Sequence, residues 1–237
     1  MNIGSTHAIT GKFETEALSV VCLQTAPISA QNMDDVQKNL DTILDFMDKA
    51  VGGFPGVDLI VTIECGLQGF GPDILTDNVL LEYDGPQIRQ LKEKCRALNV
   101  WGVFNPIFKE FEGRKNCNTA IIINNEGEIV HTYVKMNPWT PGEATCPGWK
   151  CPTTPGPKGS RLATIICADG TKPDVLREEG LPEADALVTL TESDETNLII
   201  SSFAYHEQVP KIVTKVDEDN FIQLAESYGL TTIIQPA

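Results

Sequence analysis

The sequence predicts an α/β protein, and two observations carry that expectation. Apolar runs of strand length alternate with stretches whose apolar residues recur at helical spacing. Beyond Cys167 the alternation becomes strict, strand then helix, which implies a parallel or mixed sheet. A third observation points to chemistry. The apolar runs over residues 57–63, 129–134 and 162–166 end in Glu64, Lys135 and Cys167. A carboxylate, an ammonium and a thiol at strand ends can converge on one edge of a sheet.

Each element has a local reason. Residues 17–24 form a strand with an apolar centre. Asn32 can cap a helix reaching Val51, with Val36, Leu40, Ile43, Leu44 and Met47 on one face. Gly52-Gly53-Phe54-Pro55-Gly56 ends it. Strands follow over 57–63 and 100–105, with a helix over 86–98 between them. Residues 118–124 and 128–134 pair as a hairpin around Asn125-Glu126-Gly127. The proline-rich stretch 137–159 is a long loop of the kind that lines sites. A strand over 160–166 then delivers Cys167. After it, helices over 173–179, 193–206 and 218–228 alternate with strands over 186–190, 211–216 and 231–234. On the helix over 193–206, Leu198, Ile199 and Phe203 are expected to face inward.

Composition narrows the function classes. At 237 residues, 41% hydrophobic and 22% charged, the chain is globular and long enough for one good core. No apolar run approaches the roughly 20 residues of a membrane span, and the polar first 16 residues lack a signal-peptide layout. No membrane insertion and a cytoplasmic location are therefore expected. A net charge of −15 argues against nucleic acid as a partner. The charge is uneven: residues 168–237 hold 14 acids against 4 bases, which hints at two origins for the two parts. The seven cysteines form no C-x-x-C pair and no zinc-type spacing, so no metal is expected and most are small buried hydrophobes. No G-x-G-x-x-G occurs, so the phosphate-cradling turn of a dinucleotide site is missing and no cofactor is expected.

Two resemblances account for these parts. Residues from about 18 to 170 resemble the nitrilase superfamily, most closely its aliphatic amidase and formamidase branch. The resemblance rests on Gly53-Phe54-Pro55-Gly56-Val57-Asp58 leading to Glu64, Asn118-Thr119-Ala120-Ile121, Tyr133-Val134-Lys135-Met136-Asn137-Pro138-Trp139, Pro141-Gly142-Glu143, and Ile165-Ile166-Cys167-Ala168-Asp169-Gly170. It implies an α-β-β-α sandwich, here partial, and a catalytic triad of Glu64, Lys135 and Cys167 with Glu143 as a second acid. In that role Glu64 is the base, Lys135 holds the oxyanion and Trp139 is an apolar wall for the substrate. A helix start after Cys167 is expected to favour its thiolate. The sequence departs from the family where Ile63 and Cys65 flank Glu64, and where Cys146 stands in place of a tyrosine. A Cys–His pairing would need one of His7, His131 and His206 nearby, and His131 shares a strand face with Lys135 by period two.

Residues from about 169 to 237 are similar to the second half of a potassium-uptake regulatory Rossmann domain of the Trk, or RCK, type. The matching stretches are Asp169-Gly170-Thr171-Lys172-Pro173-Asp174, Ala184-Asp185-Ala186-Leu187-Val188-Thr189 and Pro210-Lys211-Ile212-Val213-Thr214-Lys215. The expected parts are thus 1–168, amidase-like, and 169–237, half a Rossmann unit of alternating strands and helices. The expected function is thiol-dependent hydrolysis of a small, formamide-like amide to carboxylate and ammonia. A non-catalytic regulatory module related to potassium uptake, or an inert hybrid, are the alternatives. The partners that follow are a small amide substrate and either a second copy of the chain or, through the tail, a potassium transporter.

Overall fold

A computed structural model describes residues 17–72, 74–139, 143–150, 152–191, 193–230 and 232–235. The polar first 16 residues, Pro141-Gly142 of the amidase-like motif and the start of the last strand at Thr231 lie outside the described residues.

The first sheet holds β1 (Val20–Leu23), β2 (Leu59–Thr62), β3 (Trp101–Phe104), β4 (Ile107–Phe111), β5 (Arg114–Ile123) and β6 (Ile129–Val134). Its order is β1-β2-β3-β5-β4, with β6 on the other edge of β5. The first three strands run parallel, and the pairs β3–β5, β4–β5 and β5–β6 are antiparallel. Helices α1 (Met33–Gly53) and α2 (Pro86–Leu98) cover one face. Asn32 caps α1 by accepting from the Asp35 N–H at 3.1 Å. Val36, Leu40, Ile43 and Met47 pack from α1 onto Leu23, Ile60, Phe104, Ile121 and Ile123 of the sheet. That face is sealed, since Ile60, Phe104, Ile121 and Ile123 are wholly buried.

The tail folds into a second sheet. Strands β9 (Ala186–Thr189), β10 (Lys211–Lys215) and β11 (Thr232–Ile234) are parallel in the order β11-β10-β9. Helices α3 (Pro173–Glu178), α4 (Asp194–His206) and α5 (Asp219–Ser227) accompany it. Its apolar side is built from two clusters, Leu176, Leu181, Ile200, Ala204 and Val209, and Leu198, Val216, Ala225 and Leu230. Of the three α4 residues expected inward, Leu198 and Phe203 pack in but Ile199 is 57% exposed. Neighbouring helical positions are rotated by about a quarter-turn, so Ile199 cannot follow Leu198. The two sheets face each other across a cavity, giving helices, sheet, sheet and helices in that order.

One hairpin was not anticipated and one expected strand does not form. The hairpin of β4 and β5 is not signalled by the sequence. Its turn, Glu112-Gly113, has φ of 47° and 76°, the backbone that Asn-Gly usually marks. The strand expected over 160–166 is also absent. Only Arg161–Leu162 (β8) pairs, and its partner is Thr154–Pro155 (β7). Residues 163–166 instead run along the cavity between the sheets without a ladder, Ile166 buried, Ile165 half-buried and Ala163 exposed. Among the described residues no helix is long and apolar enough to cross a membrane.

Candidate active site

Lys135 follows β6 and extends its pairing by one residue, its N–H donating to the Asn118 carbonyl at 2.9 Å. Period two puts its side chain on the same face as Tyr133, away from the helices. The ammonium is 2% exposed and sits between two carboxylates, 2.9 Å from Glu64 Oε1 and 2.7 Å from Glu143 Oε2. A buried ammonium needs such partners, because removal from water disfavours its charge. Burial works against the Lys135 charge, but Glu64, Glu143 and Cys167 outweigh it and hold its pKa above the ordinary lysine value.

Amide side chains fix both acids. Asn118 Nδ2 donates to Glu64 Oε1 at 2.9 Å and to Glu143 Oε1 at 3.0 Å. Asn118 Oδ1 accepts from Asn105 Nδ2 at 3.0 Å, and Asn105 Oδ1 accepts from the Cys65 N–H at 2.8 Å. Cys65 holds a left-handed φ of 51°, so this bond pins the turn that presents Glu64. Glu143 also accepts from the Thr145 hydroxyl at 2.8 Å and the Trp139 N–H at 3.1 Å. Burial alone would raise its pKa, yet Lys135, Asn118 and the Trp139 N–H together hold it below the usual glutamate value. Glu143 is therefore ionised at neutral pH.

Cys167 opens a tight turn, Cys167–Thr171, directly after the extended Ile166. Its φ of 48° is unusual for a side chain of any size and aims the thiol off the line of the preceding segment. The thiol is half-buried and lies beside the Glu64 carboxylate, close enough for its charge to act on it. Burial first, and Glu64 next, push its pKa up to about 11, against the pull of Lys135 and the Ala168 N–H. The expected stabilisation of thiolate by a helix start is corrected by this geometry. The turn is a single 3-10 stretch, and α3 begins only at Pro173, too far to aim a helix dipole at the sulfur. Cys167 is therefore a thiol rather than a thiolate at neutral pH.

The structure thus brings Glu64, Lys135, Glu143 and Cys167 together. It does not bring in the Trp139 ring as a wall: the indole is 67% exposed, and the backbone N–H is what serves the site. His131 is likewise no partner of the thiol. Its Nε2 pairs with Thr164 Oγ1 at 2.9 Å, and burial pushes its pKa down to about 4. Sequence reasoning missed Asn105, Asn118 and Asp169 as working residues. Asp169 is wholly buried and takes hydrogen bonds from the Tyr133 hydroxyl, the Met136 N–H, and the N–H and side-chain amide of Asn137. The signal for it was an acid two places after the thiol in an otherwise apolar stretch.

Comparisons with known proteins follow this geometry. A formamidase from Photorhabdus laumondii is 35% identical over 192 residues, 80% of this chain and 56% of the relative. A formamidase from Bacillus cereus is 35% identical over 163 residues, 66% of this chain and 48% of the relative. The chain spans about half the length of the curated relatives it matches. Among solved structures, an amidase from Nesterenkonia sp. superposes with a TM-score of 0.67 at 22% identity, covering 83% of this chain and 76% of its own. A variant of that amidase, showing covalent addition of the acetamide moiety of fluoroacetamide at its active-site cysteine, gives 0.69 at 21%, covering 86% and 80%. The fold is that of the nitrilase-superfamily amidases. The family model of the TrkA-N domain matches residues 158–236. By similarity, then, the chain is chimeric, formamidase-like over most of its length and TrkA-N-like at its end. A structural match to 83% of the chain is more than residues 1–170 can supply. Part of the TrkA-N-like segment therefore occupies positions that belong to the amidase sandwich.

Proposed function

We propose that this chain hydrolyses a small aliphatic amide of the formamide class through a thioester on Cys167. The observation that carries the reading is the Glu64–Lys135–Cys167 convergence: Lys135 pairs with Glu64 at 2.9 Å, and Glu64 and Cys167 line the same cavity. In this reading the Cys167 sulfur adds to the amide carbonyl as its proton passes to Glu64. Lys135 faces the oxygen that becomes negative. The C–N bond then breaks, the proton on Glu64 goes to the departing nitrogen, and ammonia leaves. Water, deprotonated by Glu64, attacks the thioester and releases the carboxylate and the thiol. Glu143 keeps Lys135 charged and oriented. Formamidase relatives and the cysteine adduct in the Nesterenkonia amidase support this chemistry. In this reading the protein works in the cytoplasm on a diffusible amide, and its two parts join near 168–171.

A second reading, a regulatory module related to potassium uptake that binds a second copy or a transporter, rests on the TrkA-N match. It gives the buried triad no role. Ammonia release from formamide and acetamide separates the two. Release that Cys167→Ser abolishes is expected; a folded sample with no release above the Cys167→Ser background overturns the hydrolase reading.

A further inference from the structure

The face of the first sheet turned away from α1 and α2 is unevenly covered. Val61, Val103 and Ile122 lie in register across β2, β3 and β5 on that face. Val61 and Val103 are only half-buried, whereas their helix-side neighbours Ile60 and Phe104 are fully buried. Opposite them stands β9. Its Leu187 packs toward α4 and its Thr189 hydroxyl meets Ser201 of α4, so period two turns Ala186 and Val188 toward the first sheet. Between the two walls lies a cavity of about 320 Å³. It runs beside residues 161–167, and Glu64, Asn105 and Cys167 are part of its lining. The other walls are mainly apolar. Its size is in the range of small-molecule sites.

The cavity opens partly to solvent, and its wall mixes apolar side chains with Thr62, Glu64, Asn105 and Thr189. Formamide would leave it almost entirely empty. A straight hydrocarbon chain of several carbons would occupy far more of its 320 Å³. Glu64 and Cys167 share this lining with the apolar Val61, Val103, Ile122 and Val188, an arrangement suited to a ligand with one polar head and one apolar tail.

We propose that the inter-sheet cavity receives the acyl chain of a longer aliphatic amide, with the carbonyl at Cys167 and the chain between Val61 and Val188. The inference rests on the amide-hydrolysis reading for its head group and on the cavity for its tail. The substrate class it names is straight-chain aliphatic amides longer than butyramide.

Calorimetry on a Cys167→Ala variant tests it, because binding is then read without turnover. The probes are acetamide, butyramide, hexanamide and octanamide. Affinity is expected to rise about fourfold per added methylene from butyramide to octanamide, the scale for burying a CH₂ group. Val188→Phe and Val61→Phe, each added to Cys167→Ala and checked for native circular dichroism, are expected to weaken octanamide binding tenfold or more. A flat chain-length profile overturns the inference, as does unchanged octanamide affinity in both filled variants. Formamide hydrolysis by the unmodified protein together with a flat profile sinks the acyl-chain site alone. A rising profile with no ammonia from any of the amides sinks the hydrolase reading and leaves an apolar binding site.

Discussion

The Tyr133 hydroxyl donates to the buried Asp169 carboxylate at 2.7 Å. Tyr133 lies two residues before Lys135 and Asp169 two residues after Cys167, so this one bond ties the strand that leads to Lys135 to the turn that carries Cys167. The same carboxylate takes the Met136 and Asn137 N–H groups, which fixes the chain leaving Lys135. Asp169 positions the site without touching its reactive atoms.

Asp169→Ala is expected to cost about 3 kcal/mol or more, because several buried donors lose their acceptor at once. Tyr133→Phe, which removes one donor and leaves the carboxylate other partners, is expected to cost about 1 kcal/mol. Urea denaturation of the two variants checks the ratio. Equal losses would mean that the carboxylate is not the hub.

Lys135→Met leaves Glu64 and Glu143 facing each other with no cation between them. A loss of about 3–5 kcal/mol is expected, the scale for stranding a buried charge. Adding Glu143→Gln removes one of the two repelling acids and should recover part of that loss. Denaturation midpoints at neutral pH decide it, and no recovery in the double variant would contradict the geometry.

The Glu64 charge beside Cys167 helps raise the pKa of its thiol. Glu64→Gln should therefore separate two properties that usually fall together. Alkylation of Cys167 by iodoacetamide at pH 8 is expected to become several-fold faster, because thiolate is the reactive form. Amide hydrolysis by the same variant is expected to disappear, because the base is gone. In the unmodified protein, Cys167 labelling should climb steadily from pH 7.5 toward 10 with no plateau, as a pKa of about 11 requires. A plateau near pH 7 would mean an activated thiolate.

How much of this was readable beforehand differs by residue. Helices α1 and α2 were plain, because Asn32 caps one and Pro86 opens the other, both local signals. Glu64 and Lys135 were readable as strand ends because both close apolar runs that pair in the first sheet. Residues 163–166 carried the same apolar signal but formed no ladder, since pairing depends on which partner strand is within reach and periodicity says nothing about that. Asn105 and Asn118 were hidden for another reason. A buried amide in a strand looks like any polar position until the acids it bridges, 54 and 25 residues from Asn118 in sequence, are seen around it. The raised pKa of Cys167 was equally hidden, because burial dominates it and a motif does not report burial.

His131 makes stability depend on pH. Its folded pKa is about 4 because burial disfavours the imidazolium, whereas an unfolded histidine titrates near 6.5. Above about 6.5 the ring is neutral in both states and the contribution is whole. As pH falls from 6.5 toward 4, the unfolded chain takes up a proton that the folded chain refuses, and stability declines. Between pH 7.5 and 5 that amounts to about 2 kcal/mol. His131→Gln should remove this part of the pH dependence. Urea titrations at the two pH values check it, and an unchanged difference in the variant would assign the decline to other groups.

The central claim is that Cys167 carries the acyl group of an amide. Its most direct measurement is mass spectrometry of the Cys167 peptide from an acid-quenched reaction with acetamide. The expected result is an acetyl thioester on Cys167, formed while ammonia accumulates and absent from Glu64→Gln. An unmodified Cys167 throughout, whether or not ammonia appears, would contradict it.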